Sequence, residues 1–313
     1  MSFIDFEHKL LKELKDKFKN LSGQNIYIGC SGGADSVALF RALNKINPIL
    51  KAKISMIHIH HGKALGEQGE FRDKAVSFCE ALAKESSCEF ICEKSEESLV
   101  SEEDCRDFRH YIFEKYENVF LAQHSDDFTE TLLLRMIRGT GPQGLVNPFS
   151  KNFNRPFLEG FSRQEILTYL EAEEQIFLED PSNSDDSFLR NWLRLTWLPD
   201  LEKKRGISGL RTSLKLLHEE LKEEKADTFS SVKFDAPKGE GGSFSCSYWL
   251  NLNRFQKQST IAHVLLKVIK TGYTKGQVDE VLKHLDLPEK ETTLRVGGLY
   301  WKKKNNHVHF SKI

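Results

Sequence analysis

The sequence predicts an α/β fold: a doubly wound parallel sheet followed by a smaller, mostly helical C-terminal domain that ends in a hairpin. Three observations support this class. Strand-like apolar runs alternate with helical patterns through the first half of the chain, as in parallel sheets with helices on both faces. A glycine-rich turn follows the first strand, where such sheets bind ligands. After Gly209 the pattern is mostly helical, until Gly297 and Gly298 separate two alternating apolar runs.

The elements of the first half follow from short apolar runs, each bounded by turn residues and followed by a helical period. An amphipathic helix is predicted first, over Glu7–Lys19. The predicted strands are Asn25–Cys30, Lys53–His60, Cys88–Glu93 and Val119–His124. The helices predicted with them are Ser36–Ile46, Glu67–Glu85, Ser101–Tyr116 and Asp126–Ile137.

The rest of the chain reads as helices until the final hairpin. Helices are predicted over Arg163–Ala172 and Phe188–Leu198, with a polar loop at 179–186 between them and Pro199 closing the second. A boundary within Pro199–Gly209 gives domains of residues 1–204 and 205–313. In the second domain, helices are predicted over Leu210–Glu224, Leu250–Thr271 and Lys275–Leu285. A loop is predicted over Lys238–Ser243 and a hairpin over Thr292–Phe310.

Composition excludes several classes of protein. The chain is 39% hydrophobic and 29% charged, which is ordinary for a soluble protein. It has no apolar run of bilayer length and no basic start followed by an apolar block, so we predict a cytoplasmic location and no membrane partner. Its six cysteines form no Cys-x-x-Cys pair, so no zinc or iron–sulfur site is predicted.

Charge is unevenly distributed along the chain. The net charge is −1 overall, but residues from Leu201 onward carry 21 Lys and Arg against 13 Asp and Glu, a net of +8, which leaves −9 for residues 1–200. A basic C-terminal region suits a polyanion such as nucleic acid. A solvated lysine-rich surface fits the charge equally well. The run Lys302–Lys304 beside Trp301 leaves the same two interpretations open.

The segment Ser-Gly-Gly-Ala-Asp-Ser predicts a phosphate site, because it lies directly between a strand and a helix. Its glycines let the backbone turn sharply and leave the amides open to an anion at the helix N-terminus. The lysine of the other common phosphate loop is missing, and Asp35 is placed to hold Mg²⁺ against phosphates. A plain turn is the alternative, but the full string favours a nucleotide. The segment consists of Ser31, Gly32, Gly33, Ala34, Asp35 and Ser36.

A second polar cluster begins at His124, where the fourth predicted strand gives way to a helix. Asp126 lies four residues before Glu130, and Asp127 three residues before it, so the carboxylates share one helix face. Acids at a helix N-terminus can serve as caps alone, but three exceed that need. With the imidazole of His124, such a set could hold Mg²⁺, bind a cationic amine or accept its proton.

Two weaker features complete the candidate site. Gly139 is expected to cap the helix that follows the acids, and with Gly141 it could also bring backbone amides near a phosphate. His58 and His60 lie on one face of a predicted strand. Contacts with a nucleotide's base or ribose are favoured over zinc, since no cysteine or acid completes a ligand set.

Taken together, these motifs resemble the bacterial tRNA(Ile)-lysidine synthetases of the PP-loop ATP pyrophosphatase superfamily, which has the adenine nucleotide alpha hydrolase-like fold. The resemblance covers roughly residues 24–200. It departs from the family at Gln123, where a histidine is frequent, and at Phe128, where a glutamine is frequent. The matching segments, in the family's order, are Ser31–Ser36, His58–Gly62, Arg106–Tyr111, His124–Thr131, Arg138–Leu145, Arg155–Leu158 and Asp180–Leu195.

The resemblance implies a reaction in two steps. ATP adenylates the C2 oxygen of the wobble cytidine of an isoleucine tRNA with a CAU anticodon, and the ε-amine of free L-lysine then displaces AMP to give lysidine. ATP and Mg²⁺ are the implied cofactors, residues 205–313 would contact the tRNA, and a homodimer is compatible with the sequence. The implied catalytic residues are Asp35, His124, Asp127, Glu130, Arg109 and Arg190. The implied ATP-binding residues are Ser31, Gly32, Gly33, Ala34, Asp35, Ser36, His58, His60 and Gly139, with Asp35 also at the metal.

Two alternative functions remain open at this point. A PP-loop tRNA thiolation enzyme of the 2-thiocytidine type also adenylates a base, although it typically needs paired cysteines. A non-catalytic nucleotide- or RNA-binding module is the other alternative, although a module without turnover has no need of both an intact phosphate loop and a helix with three acids.

Overall fold

The chain forms two compact units in the computed structural model. The first comprises Met1–Thr131 and Phe149–Ile207, and the second comprises Leu132–Pro148 and Ser208–Ile313. The boundary predicted between residues 204 and 205 stays a prediction. The structure describes residues 3–18, 20–99, 101–140, 142–146, 148–149, 153–184, 188–228, 232–234, 241–269, 273–288 and 291–313.

A four-stranded parallel sheet is the centre of the first unit, with strand order β3-β2-β1-β4. This confirms the predicted fold class. The strands are β1 (Asn25–Gly29), β2 (Lys53–His60), β3 (Glu89–Lys94) and β4 (Val119–Phe120). The helices connected to them are α1 (Phe3–Lys17), α2 (Ala34–Leu50), α3 (Glu67–Glu85), α4 (Glu102–Phe113), α5 (Ser125–Ile137) and α7 (Arg163–Ala172).

Both faces of this sheet are covered by apolar side chains, as its almost uninterrupted apolar strands require. On β2, Ile54 and Met56 belong to the core that includes α1, α2 and α7. Ile57 and Ile59 belong to a separate core with the end of α4. After Lys53, β2 therefore buries side chains on both of its faces.

The strand order places the candidate site. From β1 the chain builds outward through β2 and β3, and then returns to add β4 on the other side of β1. The loops after β1 and β4 consequently leave the sheet on opposite sides and open a crevice at the carboxyl ends of these strands, which is where open α/β sheets bind ligands. The predicted strand Val119–His124 leaves the sheet after Phe120, so His124 lies in the loop at this crevice.

The segment after α7 differs from the prediction. A short helix α8 (Leu189–Trp192) continues through a π-helical turn (Leu193–Trp197) into α9 (Leu198–Arg205). The prediction that Pro199 closes the helix is wrong, because Pro199 lies in the first turn of α9. A proline is tolerated there because the amide that it lacks is not needed by the new turn, and the wide π turn upstream removes the usual hydrogen-bond register.

The second unit packs helices against a five-stranded antiparallel sheet of order β5-β6-β9-β8-β7. Its helices are α6 (Pro142–Val146), α10 (Ser208–Thr228), α11 (Cys246–Asn251), α12 (Arg254–Ile269) and α13 (Lys275–Leu285). Its strands are β5 (Lys233–Phe234), β6 (Gly241–Ser245), β7 (Thr292–Val296), β8 (Leu299–Lys304) and β9 (His307–Lys312).

Three expectations for this unit are corrected. The predicted hairpin is part of the larger sheet and has a third strand, β9. The predicted loop Lys238–Ser243 is strand from Gly241 onward, while its first three residues lie outside the described residues. The predicted helix Leu250–Thr271 is two helices, because Asn253 caps α12 by accepting from the Gln256 amide at 2.9 Å; Thr271 lies outside the described residues.

No helix in the described part of the chain combines the length and the apolar character that crossing a bilayer requires.

Candidate active site

The loop between β1 and α2 is organised by its own serines. The Ser36 hydroxyl accepts from the Ser31 amide at 3.2 Å and donates to the Gly33 carbonyl at 2.9 Å. Gly32 has a φ of +86°, and its carbonyl accepts from the Leu178 amide at 2.9 Å. Gly33 forms the N-cap of α2 without a side-chain cap. The first amides of α2 are therefore left for an anion, which is what the phosphate-loop prediction requires.

The predicted histidines of β2 support the neighbouring loops. His58 donates from Nδ1 to the Cys30 carbonyl at 2.9 Å, and burial lowers the pKa of His58. His60 accepts from the Gly62 amide at Nδ1 (3.1 Å), so its Nε2 donates to Asp73 at 3.1 Å. Both rings are held at the end of β2 beside the loop. Their contacts with adenine or ribose remain a prediction.

A ring of carboxylates surrounds the buried His124. Its Nε2 lies 3.6 Å from Asp35 Oδ1 and 3.4 Å from Asp127 Oδ2, and its Nδ1 lies 3.7 Å from Asp126 Oδ2. These are ion-pair distances and too long for good hydrogen bonds. The cluster thus joins the phosphate loop after β1 to the start of α5 after β4, across the crevice.

Two arginines pair with Asp127 and Glu130 of α5. The Glu130 side chain is only 2% exposed and accepts from Arg190 Nε at 3.1 Å and from Arg194 Nε and Nη2 at 2.8 and 2.9 Å. Asp127 Oδ1 accepts from Arg190 Nη2 at 3.0 Å and from Arg194 Nη2 at 2.9 Å. Charge-assisted bonds of this kind are among the strongest in proteins. They attach α8 and the π-helical turn to α5.

This network fixes the charge state of Asp127. Burial opposes ionisation of this carboxyl, but the charges of His124, Arg190 and Arg194 and the bond from the His124 amide outweigh it and hold the pKa of Asp127 below its usual range. Burial likewise lowers the pKa of Arg194, but Glu130, Asp127 and Asp35 more than compensate and raise it above the usual value. Both groups are charged at neutral pH.

We expect Asp127→Asn to reduce stability in a pH-dependent manner. Because the pKa of Asp127 is lower in the folded protein than its unfolded value of about 3.9, its charge stabilises the fold above that pH. The contribution is lost as the pH falls through 3.9 toward the folded pKa. Urea unfolding should thus separate wild type from variant at pH 7, and the gap should narrow as the pH is lowered below about 3.9. The exposed Asp16→Asn should change stability little, and a gap at Asp127 that stays constant as the pH falls contradicts the expectation.

Arg163 is a member of the site that the sequence did not reveal. It is the first residue of α7, whose N-terminus is fixed by a capping box between Ser162 and Glu165. Its Nη1 pairs with Asp35 Oδ1, and its backbone amide donates to Asp126 Oδ2 at 2.8 Å. Asp35 is therefore held from one side by a guanidinium and faces His124 on the other.

The donor set is compatible with Mg²⁺ at Asp35. Among the described residues, no group of three or more His, Cys, Asp or Glu side chains is arranged to hold a metal by itself. Mg²⁺ commonly binds through one or two carboxylates together with substrate phosphates and water. Asp35, partly exposed at the N-terminus of α2, provides one such carboxylate beside the phosphate loop.

Not all predicted residues meet at this cluster. The structure brings together Asp35, His124, Asp127, Glu130 and Arg190, with Ser31 to Ser36 beside them. Arg109 lies exposed on α4, near His61. Burial, assisted by Arg109 and Arg72, lowers the pKa of His61 to about 4, so that this ring is neutral at pH 7.

Gly139 belongs to the second unit and ends α5. Its φ is +73°, its amide donates to the Met136 carbonyl at 3.0 Å, and the Thr140 amide donates to the Arg135 carbonyl at 3.0 Å. These two bonds are those of a Schellman motif. Gly141 lies outside the described residues. A contact between Gly139 and ATP stays a prediction.

The sequence carried a signal for only some of the residues missed. Arg194 follows Arg190 by four residues, the spacing that puts two side chains on one helix face, and could have been found. Arg163 follows a capping serine at a helix start, and nothing local indicates that it pairs with Asp35, 128 residues away.

Comparison with known proteins agrees with this geometry. The model of the PP-loop domain family matches residues 6–201, so fold and site together define a PP-loop enzyme. The tRNA(Ile)-lysidine synthase of Bdellovibrio bacteriovorus is 32% identical over 307 residues, covering 95% of this chain and 94% of that protein. That of Streptococcus pyogenes serotype M6 is 31% identical over 322 residues, covering 97% and 68%. The chain belongs to the tRNA(Ile)-lysidine synthase family, which confirms the resemblance.

A solved structure supports the fold alone. The U34-tRNA thiolase NcsA from Methanococcus maripaludis, determined with its [4Fe-4S] cluster, superposes with a TM-score of 0.56 at 19% identity, covering 71% of this chain and 79% of that one.

Proposed function

We propose that this chain ligates free L-lysine to C2 of the wobble cytidine of an isoleucine tRNA with a CAU anticodon, and that ATP is converted to AMP and pyrophosphate. The carrying observation is that the phosphate loop after β1 and the carboxylate cluster after β4 meet across one crevice. The identity of the substrate is inferred from the family to which the chain belongs. A cytoplasmic location and a homodimer remain predictions.

The first step is adenylation of the base. The free amides at the start of α2 and the hydroxyls of Ser31 and Ser36 bind the ATP phosphates. A Mg²⁺ ion at Asp35 would supply charge neutralisation for them. Arg163, whose guanidinium pairs with Asp35, adds positive charge beside the phosphates. The C2 oxygen of cytosine attacks the α-phosphorus, and pyrophosphate leaves.

The second step is attack by lysine. An ε-ammonium is not a nucleophile until it loses a proton, and the carboxylates around His124 both select the cation and can accept that proton. The amine then forms a bond to C2, and the adenylated oxygen leaves with AMP. Arg190, whose guanidinium is held on Asp127 and Glu130, stabilises the negative charge of the phosphate or of the lysine carboxylate.

The second unit is proposed to contact the tRNA backbone. On β8, Lys302 and Lys304 alternate with Trp301 and Lys303. Trp301 is fully buried, and Lys303 donates to the Leu285 and Leu287 carbonyls. Only Lys302 and Lys304 of the lysine run therefore stand on the outer face of the sheet.

The decisive test is incubation of the protein with ATP, labelled lysine and an unmodified isoleucine tRNA transcript with a CAU anticodon. We expect label in the RNA, with one AMP and one pyrophosphate released per lysine. The same transcript with uridine at the wobble position is the matched control and should remain unlabelled. Absence of label from the authentic transcript rules out the proposal.

A further inference from the structure

Four large apolar side chains are exposed within ten consecutive residues of the first unit. They are Phe188 (48% exposed), Trp192 (38%), Leu195 (48%) and Trp197 (37%), here called the apolar patch. The Trp192 amide donates to the Phe188 carbonyl at 2.9 Å, so the two rings lie one helical turn apart on the same face. Clustered exposed aromatic side chains are typical of interaction surfaces.

The patch is held rigidly beside the active site. Leu193, the residue that follows Trp192, is fully buried. Arg190 and Arg194 tie the segment to Asp127 and Glu130 through five hydrogen bonds. The patch therefore occupies a fixed position on the element that completes the carboxylate cluster, and the π-helical turn lies within it.

The charge that follows the patch indicates what binds there. α9 ends with three consecutive exposed cations, Lys203, Lys204 and Arg205. Exposed aromatic rings next to exposed cations are the usual surface for single-stranded nucleic acid, because every base has a face that stacks and every nucleotide a charge. A purely apolar partner would gain nothing from these cations.

We propose that the apolar patch stacks unpaired bases of the RNA substrate, and that Lys203, Lys204 and Arg205 contact its backbone. The inference rests on the proposed function and extends it to a binding element. An enzyme that modifies C2 of a base needs that base out of its stack, and unstacking the base costs free energy. Stacking of the displaced bases on Trp192 and Phe188 offsets this cost where the modification takes place.

The test measures binding of a fluorescent CAU anticodon stem-loop to the full chain by anisotropy, without ATP or lysine. Trp192→Ala and Phe188→Ala are each expected to raise Kd by about 5- to 150-fold, the equivalent of one stacked base. Trp192→Phe should retain most of the affinity. Ile176→Ala removes a 73% exposed apolar side chain elsewhere in the same unit and should bind as wild type does. ATP affinity should be unchanged in every variant.

Two results overturn the inference. One is wild-type RNA affinity in both Trp192→Ala and Phe188→Ala. The other is a wild-type dimer that Trp192→Ala dissociates with RNA affinity unchanged, which makes the patch an interface between two copies. The proposed function is tested separately. If RNA binding depends on Trp192 but lysine is not incorporated, the proposed reaction is wrong and the proposed RNA-binding surface is retained. If both variants bind RNA and incorporate lysine at wild-type levels, only the binding surface is wrong.

Discussion

Asp35→Asn is expected to lower the release of AMP and pyrophosphate by at least about 100-fold, the scale seen when one electrostatic contact to a transition state is lost. The carboxylate stands between Arg163 and His124 at the mouth of the phosphate loop. Asparagine keeps an oxygen that accepts from Arg163, so the loop stays in place. It removes the negative charge that a magnesium–phosphate complex needs. ATP–pyrophosphate exchange measures the first step directly.

A matched control separates the loss of the Asp35 charge at the phosphate loop from the loss of a carboxylate elsewhere in the same unit. Asp73 is an exposed carboxylate on α3 that also contacts a histidine, His60, whereas Asp35 belongs to the phosphate loop itself and lies in the first turn of α2. Asp73→Asn should exchange pyrophosphate at nearly the wild-type rate. Asp35→Asn should unfold at the wild-type temperature, and extra Mg²⁺ should not restore its exchange. Wild-type exchange by Asp35→Asn would show that this carboxylate has no role in the first step.

The elements predicted best are those whose signals are local. The observed bounds of β2, α3, α7 and α13 are the predicted ones, since each is an uninterrupted period flanked by its own cap or turn residues. Ser162 and Thr274 even form complete capping boxes at α7 and α13. Such segments specify their own ends without help from distant parts of the chain.

The elements missed depend on distant partners. β6 reads as a loop because its sequence is Gly-Gly-Ser-Phe-Ser. It is a strand because β9 pairs with it, and a Cβ on Gly242 would lie 2.2 Å from the Lys233 carbonyl oxygen of β5. The glycine that suggests a turn is required by close backbone approach within a sheet. No local pattern distinguishes these two uses.

The same division holds for the candidate site. The phosphate loop and the acids of α5 are contiguous in sequence and were predicted with their spacing. Arg190 was named from the resemblance, but Arg163 and Arg194 were missed, since Arg163 pairs with Asp35 across 128 positions and Arg194 with Glu130 across 64. Sequence identified the groups that carry charge, and only the fold shows which charges neutralise one another.

Glu130→Ala is expected to have the largest effect on stability in this site, about 3 kcal/mol, the lower end for breaking a buried ion pair. Glu130 is almost wholly buried, whereas Arg190 and Arg194 are 34% and 39% exposed, so water compensates part of the loss. Two guanidiniums would then share Asp127 alone. The rate of lysine transfer should also fall, because the segment that carries Arg190 loses the contacts that hold this side chain in position. Urea unfolding and lysine incorporation are the measurements.

A second substitution tests whether these charges act as one network. In Glu130→Ala/Arg194→Ala the unpaired cation is also removed, so the double variant should be more stable than the sum of its two single changes predicts. The exposed pair of Glu159 with Lys17 provides the control, and Glu159→Ala should cost less than about 1 kcal/mol. Strict additivity in the double variant, or a cost for Glu130→Ala as small as that of the control, would mean that each arginine is held independently.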